Sequence, residues 1–141
     1  LRYSKERRDR VSDLVRHHMW RAFVSERGAR RFLNRVGDHA DDLFNIRWAD
    51  SGGKSVYPSD PTLSLDVQRK LVDRVRNQQQ PTTQSQLAIN GKDILNLGVQ
   101  PGPLVGEILR ELTRIVIDDP RQNQRDNLLT IAQGYAKIPQ A

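Results

Sequence analysis

The residues of this 141-residue chain whose types suggest catalysis or metal binding are two histidines and one aspartate: His17, His18 and Asp50. His18 lies four residues after Leu14, so a helix would place both side chains on one apolar stripe. Asp50 lies seven residues after Leu43 and shares the inward face of a later helix. A buried carboxylate and a buried imidazole stabilise each other when they pair, and divalent metals use the same groups. The spacing therefore predicts that His18 and Asp50 point into the interior.

Two glycine-containing strings could bind phosphate. Gly52-Gly53-Lys54-Ser55 lacks the earlier glycine of a Walker motif and follows no predicted strand, so we interpret it as a linker. Pro101-Gly102-Pro103 leads into a helix, where free backbone N–H groups and the positive end of the helix dipole favour anions. The same string could serve only to turn the chain and let two helices pack closely. Both interpretations remain open at this point.

The positive charge of the chain is unevenly placed. The net charge is +6 and the isoelectric point about 10.2. Residues 1–35 hold 11 Lys and Arg against 4 Asp and Glu, whereas residues 81–141 hold 6 of each kind. A basic surface attracts phosphate backbones and releases their counterions, so a nucleic acid is the leading candidate partner. The alternative is that the arginines only solvate a helical surface.

Composition and periodicity predict an all-α fold. Hydrophobic residues make up 36% of the chain and aromatic residues 6%, and no segment alternates apolar and polar residues as a strand does. No run approaches the roughly 18 apolar residues that cross a bilayer, so no membrane partner is expected. With no cysteine the chain has no disulfide and no thiolate metal site, which is compatible with the cytoplasm, where we expect the protein.

The pattern predicts about seven helices, in a small bundle or in two small helical subdomains in series. Gly98 is placed to end the fifth helix in a left-handed conformation, and Asn123 is placed to cap the last one. Residues 51–61 and 78–86 are predicted to be a loop and a flexible joint. The predicted helices cover residues 4–23, 29–36, 38–50, 62–79, 92–97, 103–118 and 124–135.

The run from Leu87 to Val116 carries a family resemblance. It resembles the C-terminal part of the bacterial tRNA nucleotidyltransferase and poly(A) polymerase family, which includes the CCA-adding enzymes. Many fixed positions fall within about twenty residues, so the combined string is far more specific than a lone Pro-Gly-Pro. The matching residues are Ile89, Gly91, Asp93, Ile94, Leu97, Gly98, Val99, Pro101, Gly102, Pro103, Val105, Gly106, Ile108 and Leu109.

Two earlier segments are similar to the end of the HD-like region of that family. Residues 4–19 are similar to its "LVRxHM" helix, and residues 47–50 match its "R-x-AD" helix, whose aspartate is a metal ligand in an intact site. The helices that would supply the other ligands are absent, and the chain contains no His-Asp dipeptide. We therefore interpret His18 and Asp50 as structural remnants, and expect no catalytic residue and no metal site.

The family's nucleotidyl-transfer head is also absent from this sequence. Transfer to a 3′-hydroxyl uses clustered carboxylates that hold two Mg²⁺ ions, beside a Gly-Ser loop for the triphosphate. The chain has neither, so Mg²⁺ is expected only with a separate head, and this chain is expected to be inactive alone. Leu1 is not a start methionine, which favours a fragment. The expected domains are residues 1–57, the end of the HD-like region, and residues 58–141, a helical RNA-binding tail.

The resemblance implies an RNA-binding module that grips the acceptor and T-arm side of a tRNA while a head domain adds nucleotides. Recognition would be by shape and backbone, since the deep major groove of RNA helices is closed to side chains. One alternative is a helical module that binds a protein partner, such as a separate head, or forms a homodimer. The other is a degenerate HD phosphohydrolase. The expected RNA contacts are Arg16, Arg30, Arg31, Arg35, Arg69 and Arg76, with Lys92 and Gly102.

Overall fold

The fold is all-α, as predicted. The computed structural model describes residues 4–17, 20–50 and 64–137, and these ranges contain helices and turns but no strand. Short 3₁₀ turns cover Gly37–His39, Gln84–Gln86 and Pro120–Gln122. None of the described helices is long and apolar enough to span a membrane. The helices are α1 (Lys5–His17), α2 (Glu26–Val36), α3 (Ala40–Asp50), α4 (Leu65–Asn77), α5 (Gly91–Asn96), α6 (Pro103–Asp118) and α7 (Arg125–Ala136).

The chain divides into two compact units. Of the two predicted arrangements, one bundle or two subdomains in series, the structure therefore has the second. The first unit is Leu1–Gln79 and the second is Gln80–Ala141. Their boundary falls within the joint predicted at residues 78–86. The domain boundary predicted between residues 57 and 58 lies outside the described residues, as do the predicted loop 51–61 and its glycines, and it stays a prediction.

An aromatic cluster forms the core of the first unit. The ring centroids of Trp20 and Phe32 lie 5.3 Å apart, and Phe44 lies 5.4 Å from Trp20 and 5.6 Å from Phe32. Because α2 places Phe32 and its apolar neighbours three and four residues apart, one face of this helix is buried against α4. Val72 and Val75 of α4 are fully buried in the same core.

The first helix is shorter than its periodicity predicts. The predicted helix runs to Phe23, but α1 ends at His17, and residues 20–24 are not helical. Trp20 explains the difference, because its Nε1 donates a hydrogen bond to Oε1 of the buried Gln68 at 2.8 Å. The carbonyl of Trp20 accepts a hydrogen bond from Arg47 Nη1 at 2.8 Å instead of a helical N–H. Hydrogen bonds to α3 and α4 therefore take the place of helical hydrogen bonds at Trp20.

The second helix begins earlier than predicted. Ser25 is its N-cap, and its Oγ accepts a hydrogen bond from the backbone N–H of Gly28 at 3.1 Å. Gly28 therefore lies in the first turn of α2 and does not break it. A Cβ on Gly28 would lie 2.6 Å from Cβ of Phe23, so a glycine is needed there for the close approach of the preceding segment.

Caps and glycines define α5 in the second unit. Asn90 and Asp93 form a reciprocal capping box, in which each side chain accepts a hydrogen bond from the other's backbone N–H, at 3.2 and 2.9 Å. Gly98 follows the last turn with φ +94, which confirms the predicted left-handed ending. Pro103 is the first residue of α6, and its predicted end at Asp118 is also confirmed.

The buried face of α6 is the centre of the second unit. Ile108, Leu112 and Val116 are almost fully buried and pack with Ile94 of α5 and Leu128 of α7. These helices contact one another pairwise, α5 with α6, α6 with α7, and α5 with α7. The three- and four-residue spacing of the apolar residues in α6 predicts this face correctly.

The prediction that Asn123 caps the last helix is wrong. The N-cap of α7 is Gln124, and the Asn123 side chain serves a longer-range contact. Its Oδ1 accepts a hydrogen bond from the backbone N–H of Ala88 at 2.8 Å, and its Nδ2 donates to the carbonyl of Gln86 at 2.9 Å. This side chain ties the segment before α5 to the connection between α6 and α7.

Two glycine substitutions test the role of backbone conformation in the second unit. No atom lies within 4 Å of a Cβ built on Gly98 or on Gly134, but only Gly98 has a positive φ. Gly98→Ala should therefore lower the free energy of unfolding by about 1–2 kcal/mol, because an L residue is strained there. Gly134→Ala, within α7, should raise it by about 0.5–1 kcal/mol. Hydrogen exchange of the α6 amides measures both, and equal effects would contradict this explanation.

Candidate nucleic-acid interface

Three arginines form an exposed row on α2. Arg27, Arg31 and Arg35 are spaced four residues apart and therefore lie on one side of the helix, about 6 Å apart along its axis. All three are exposed, whereas the apolar residues of α2 are buried. We call Arg27, Arg31 and Arg35 the α2 stripe. Arg27 and Arg35 form no hydrogen bond or ion pair with any described residue, so their charges are available to an outside anion.

Two further exposed cations lie on α4, the helix that packs against α2. Lys70 and Arg74 are also four residues apart, and neither is paired with another residue in the described ranges. The expected contacts taken from the sequence do not include Arg27, Lys70 or Arg74. The signal was present in the sequence, since all three belong to four-residue repeats of cations.

Arg30, one of the expected RNA contacts, is buried. It is only 6% exposed, although both neighbouring positions on the α2 stripe, Arg27 and Arg31, face solvent. Arg30 directly precedes Arg31, so it lies about 100° around the helix from it, beside the buried Ala29 and Leu33. The burial of Arg30 argues against a direct phosphate contact in this conformation, and its RNA contact is not part of the proposal below.

Two other expected RNA contacts hold the first unit together. Arg76 Nη1 donates hydrogen bonds to both carboxylate oxygens of Asp41, at 3.0 and 3.2 Å. Arg69 Nη2 donates to Oδ1 of Asn45 at 3.0 Å, and its guanidinium lies 5.3 Å from the centroid of the Phe44 ring. Both contacts join α4 to α3 and occupy groups that could otherwise bind a phosphate.

The polar face of α3 also binds α1. Asp42 forms an ion pair with Arg10 of α1, next to the Asp41 pair with α4. Asp41, Asp42 and Asn45, which we call the α3 polar face, therefore contact cations from the helices on both sides. Arg10, Arg69 and Arg76 are thus tied to α3, whereas Arg27, Arg35, Lys70 and Arg74 have no partner among the described residues.

Only part of the HD-like remnant lies within the described residues. Asp50 is the last residue of α3 and is exposed, so its predicted inward orientation is wrong. His18 lies outside the described residues, and so do the side chains of Arg16 and His17, although both residues belong to α1. In the described ranges no three His, Asp or Glu side chains come together to hold a metal ion.

The two remaining expected contacts are exposed: Lys92 lies in the first turn of α5, and Gly102 lies in the turn between α5 and α6. Gly102 is the N-cap of α6, and no side chain caps this helix end. The donors there are few, because Pro101 and Pro103 have no backbone N–H. The turn therefore offers an RNA at most a small part of the backbone contacts that a helix N-terminus usually provides.

Asp93 joins the start of α5 to α7. Its Oδ1 accepts a hydrogen bond from Arg125 Nη2 at 2.8 Å, and its Oδ2 accepts from the Asn90 backbone. The hydrogen bond from Arg125 and the one from the Asn90 backbone hold the pKa of the Asp93 carboxyl below its ordinary value. Asp93 and Gly98 therefore stabilise the structure of the second unit.

Comparisons with known proteins connect this chain to tRNA nucleotidyltransferases. Residues 64–132 match the family described as tRNA nucleotidyltransferase domain 2. The A-adding tRNA nucleotidyltransferase of Deinococcus radiodurans is 33% identical over 106 residues, which cover 73% of this chain and 24% of that protein. The CCA-adding enzyme of Limosilactobacillus fermentum is 39% identical over 52 residues, 37% of this chain and 13% of that enzyme. The matched region is thus a quarter or less of each relative, and no solved structure gives a significant match.

The contact between Asp93 and Arg125 predicts a pH dependence for the second unit. The folded-state pKa of Asp93 is lowered, so its stabilisation is present above the unfolded-state pKa of about 3.9 and is lost as the pH falls through the folded-state value. Asp93→Asn should therefore destabilise the second unit at pH 7 and weaken its acid sensitivity.

Urea unfolding between pH 7 and pH 3 measures this effect. Some acid sensitivity should remain in Asp93→Asn, because the Arg121 hydrogen bond lowers the pKa of Asp119 to about 2. The matched control is Asp126→Asn, which removes a nearby exposed carboxylate on α7. A loss of stability in the control as large as in Asp93→Asn would contradict a specific role for the Asp93 contact.

Proposed function

Because the chain belongs to the tRNA nucleotidyltransferase family, we propose that it is an RNA-binding part of such an enzyme, which holds a tRNA while a separate domain adds nucleotides to its 3′ end. The α2 stripe is the observation that carries this proposal. It combines exposed guanidinium groups, regular spacing and the absence of ion pairs at Arg27 and Arg35 within the described residues. Guanidinium groups bind phosphate oxygens through paired hydrogen bonds and are weakly hydrated, so they suit this contact.

The proposed contact is with the RNA backbone. The α2 stripe spans about 12 Å along its helix, which is enough to meet more than one phosphate of a strand. Lys70 and Arg74 add two further positive charges on the helix packed against α2. Since phosphates carry no sequence information, such a surface recognises the shape of a folded RNA, as a protein that serves many tRNAs requires.

Catalysis is proposed to lie outside the described helices. Nucleotidyl transfer needs clustered carboxylates that hold Mg²⁺ ions, and none of the groups described in this chain would hold a metal. The aspartates of the α3 polar face bind arginines instead. Any Mg²⁺ used in the reaction is accordingly assigned to the separate domain, along with the incoming nucleotide.

Salt titration of binding to a folded tRNA tests the proposal. The double variant Arg27→Ala/Arg35→Ala should weaken binding at low salt, and should reduce the slope of log K against log salt concentration by about 2. The matched control is Arg110→Ala on α6, in the charge-balanced second unit. Arg110 is exposed and has no partner among the described residues. This control should bind like the wild type. If the wild-type chain binds no tRNA even at low salt, the proposal fails, and a protein-binding role becomes the better explanation.

Releasing Arg76 from Asp41 should strengthen binding. In Asp41→Asn the guanidinium of Arg76 loses its carboxylate partner, so tRNA affinity should rise severalfold and the salt slope should steepen by about 1. The ion pair is exposed, so the cost in stability should stay below about 1 kcal/mol. Asp73→Asn on α4 removes an equal charge without freeing an arginine, since Asp73 has no partner among the described residues. Identical slopes in the two variants would contradict the proposed competition for Arg76.

A further inference from the structure

A cleft lies beside the turn between α5 and α6. Its volume is about 630 Å³, within the range of about 300–1,000 Å³ that small-molecule sites occupy. Residues 97–104 form one side, and Gln133, Ala136 and Lys137 at the end of α7 form the other. The α2 stripe belongs to the other unit, so the cleft is a separate feature from the proposed phosphate-binding surface.

The cleft combines an apolar wall with a few unused polar groups. Leu97, Val99 and Leu104 supply aliphatic carbon, and the proline rings of the turn extend it. Gln100 and Gln133 line the same cleft, and the side-chain amide of neither forms a hydrogen bond with a described residue. The cleft can therefore present apolar surface to the face of a ligand and hydrogen-bonding groups to its edge.

The charge of the cleft is positive and uncompensated. Lys137 is exposed, and it makes no ion pair within the described part of the chain. No carboxylate lines the cleft. A second cavity, of about 560 Å³, is different, because its lining includes Asp93 and Arg125, which already pair with each other. Of these two cavities, only the first is lined by a cation, Lys137, that does not pair with a described residue.

We propose that this cleft holds one unstacked nucleotide of the bound RNA. The base would lie against the apolar wall, the amides of Gln100 and Gln133 would meet its edge, and Lys137 would meet a phosphate. A nucleotide combines a flat apolar face, donors and acceptors on one edge and a negative charge, which matches this lining. Proteins commonly read RNA through such splayed-out bases. The inference rests on the proposed function, which supplies the ligand. It adds a contact with a base to the proposed contacts with the RNA backbone.

A mononucleotide titration tests the cleft without the rest of the RNA. Cytidine 5′-monophosphate, added at millimolar concentration to the full chain, should shift the backbone amide resonances of residues 97–100, Gly102, Leu104 and residues 133–137. Shifts confined to other residues, or no shifts, would overturn the proposal. This readout does not depend on tRNA binding, so a cleft that binds the nucleotide in a chain that binds no tRNA would support the site and reject the proposed function.

Variants of the cleft then connect it to the tRNA. Gln133→Leu removes an exposed amide without a change of charge, so tRNA affinity should fall about tenfold with an unchanged salt slope. Lys137→Gln should lower affinity and reduce the slope by about 1, whereas Arg110→Gln, which lies outside the cleft, should do neither. If tRNA binds the wild type but both cleft variants bind equally well, the proposed function stands and the nucleotide site is rejected.

Discussion

The ion pairs and hydrogen bonds between α3 and its neighbours occupy three arginines of the first unit. Asp41 and Asp42 bind Arg76 and Arg10, and Asn45 binds Arg69, so these three arginines hold α1 and α4 against α3. Among the exposed cations that have no partner in the described residues are Arg27 and Arg35 on α2 and Lys70 and Arg74 on α4. The proposed contact with a phosphate backbone uses the two of these that belong to the α2 stripe, Arg27 and Arg35.

The two units therefore contribute different kinds of interaction. The first carries most of the excess positive charge, and binding through it should depend strongly on salt. The second has balanced charge, and its structure is set by the Asp93 contact, the left-handed Gly98 and the buried face of α6. In the proposed cleft, Lys137 would add one salt-dependent contact, whereas the contacts of the base would depend little on salt.

Periodicity and glycine placement predicted much of the fold, because both act locally. The buried faces of α2 and α6 and the left-handed ending of α5 follow from spacing within single helices. Two of the errors came from partners distant in sequence, whereas the earlier start of α2 is a local effect of the Ser25 cap. Trp20 leaves the first helix because Gln68 and Arg47 bind it, and Asn123 leaves its cap position for Gln86 and Ala88. The same limit applies to the site, since only the tertiary structure distinguishes the exposed Arg35 from the buried Arg30 and the paired Arg76.

The central claim is that the α2 stripe binds the RNA backbone, and protection of individual arginines by a bound tRNA tests it most directly. The full chain would be treated with an arginine-specific dicarbonyl reagent with and without folded tRNA, and modification at each arginine would be read by mass spectrometry. The account predicts that tRNA protects Arg27 and Arg35, while Arg110 and Arg121 of the second unit are modified equally in both samples. Protection of Arg110 and Arg121, with Arg27 and Arg35 still reactive, would contradict it.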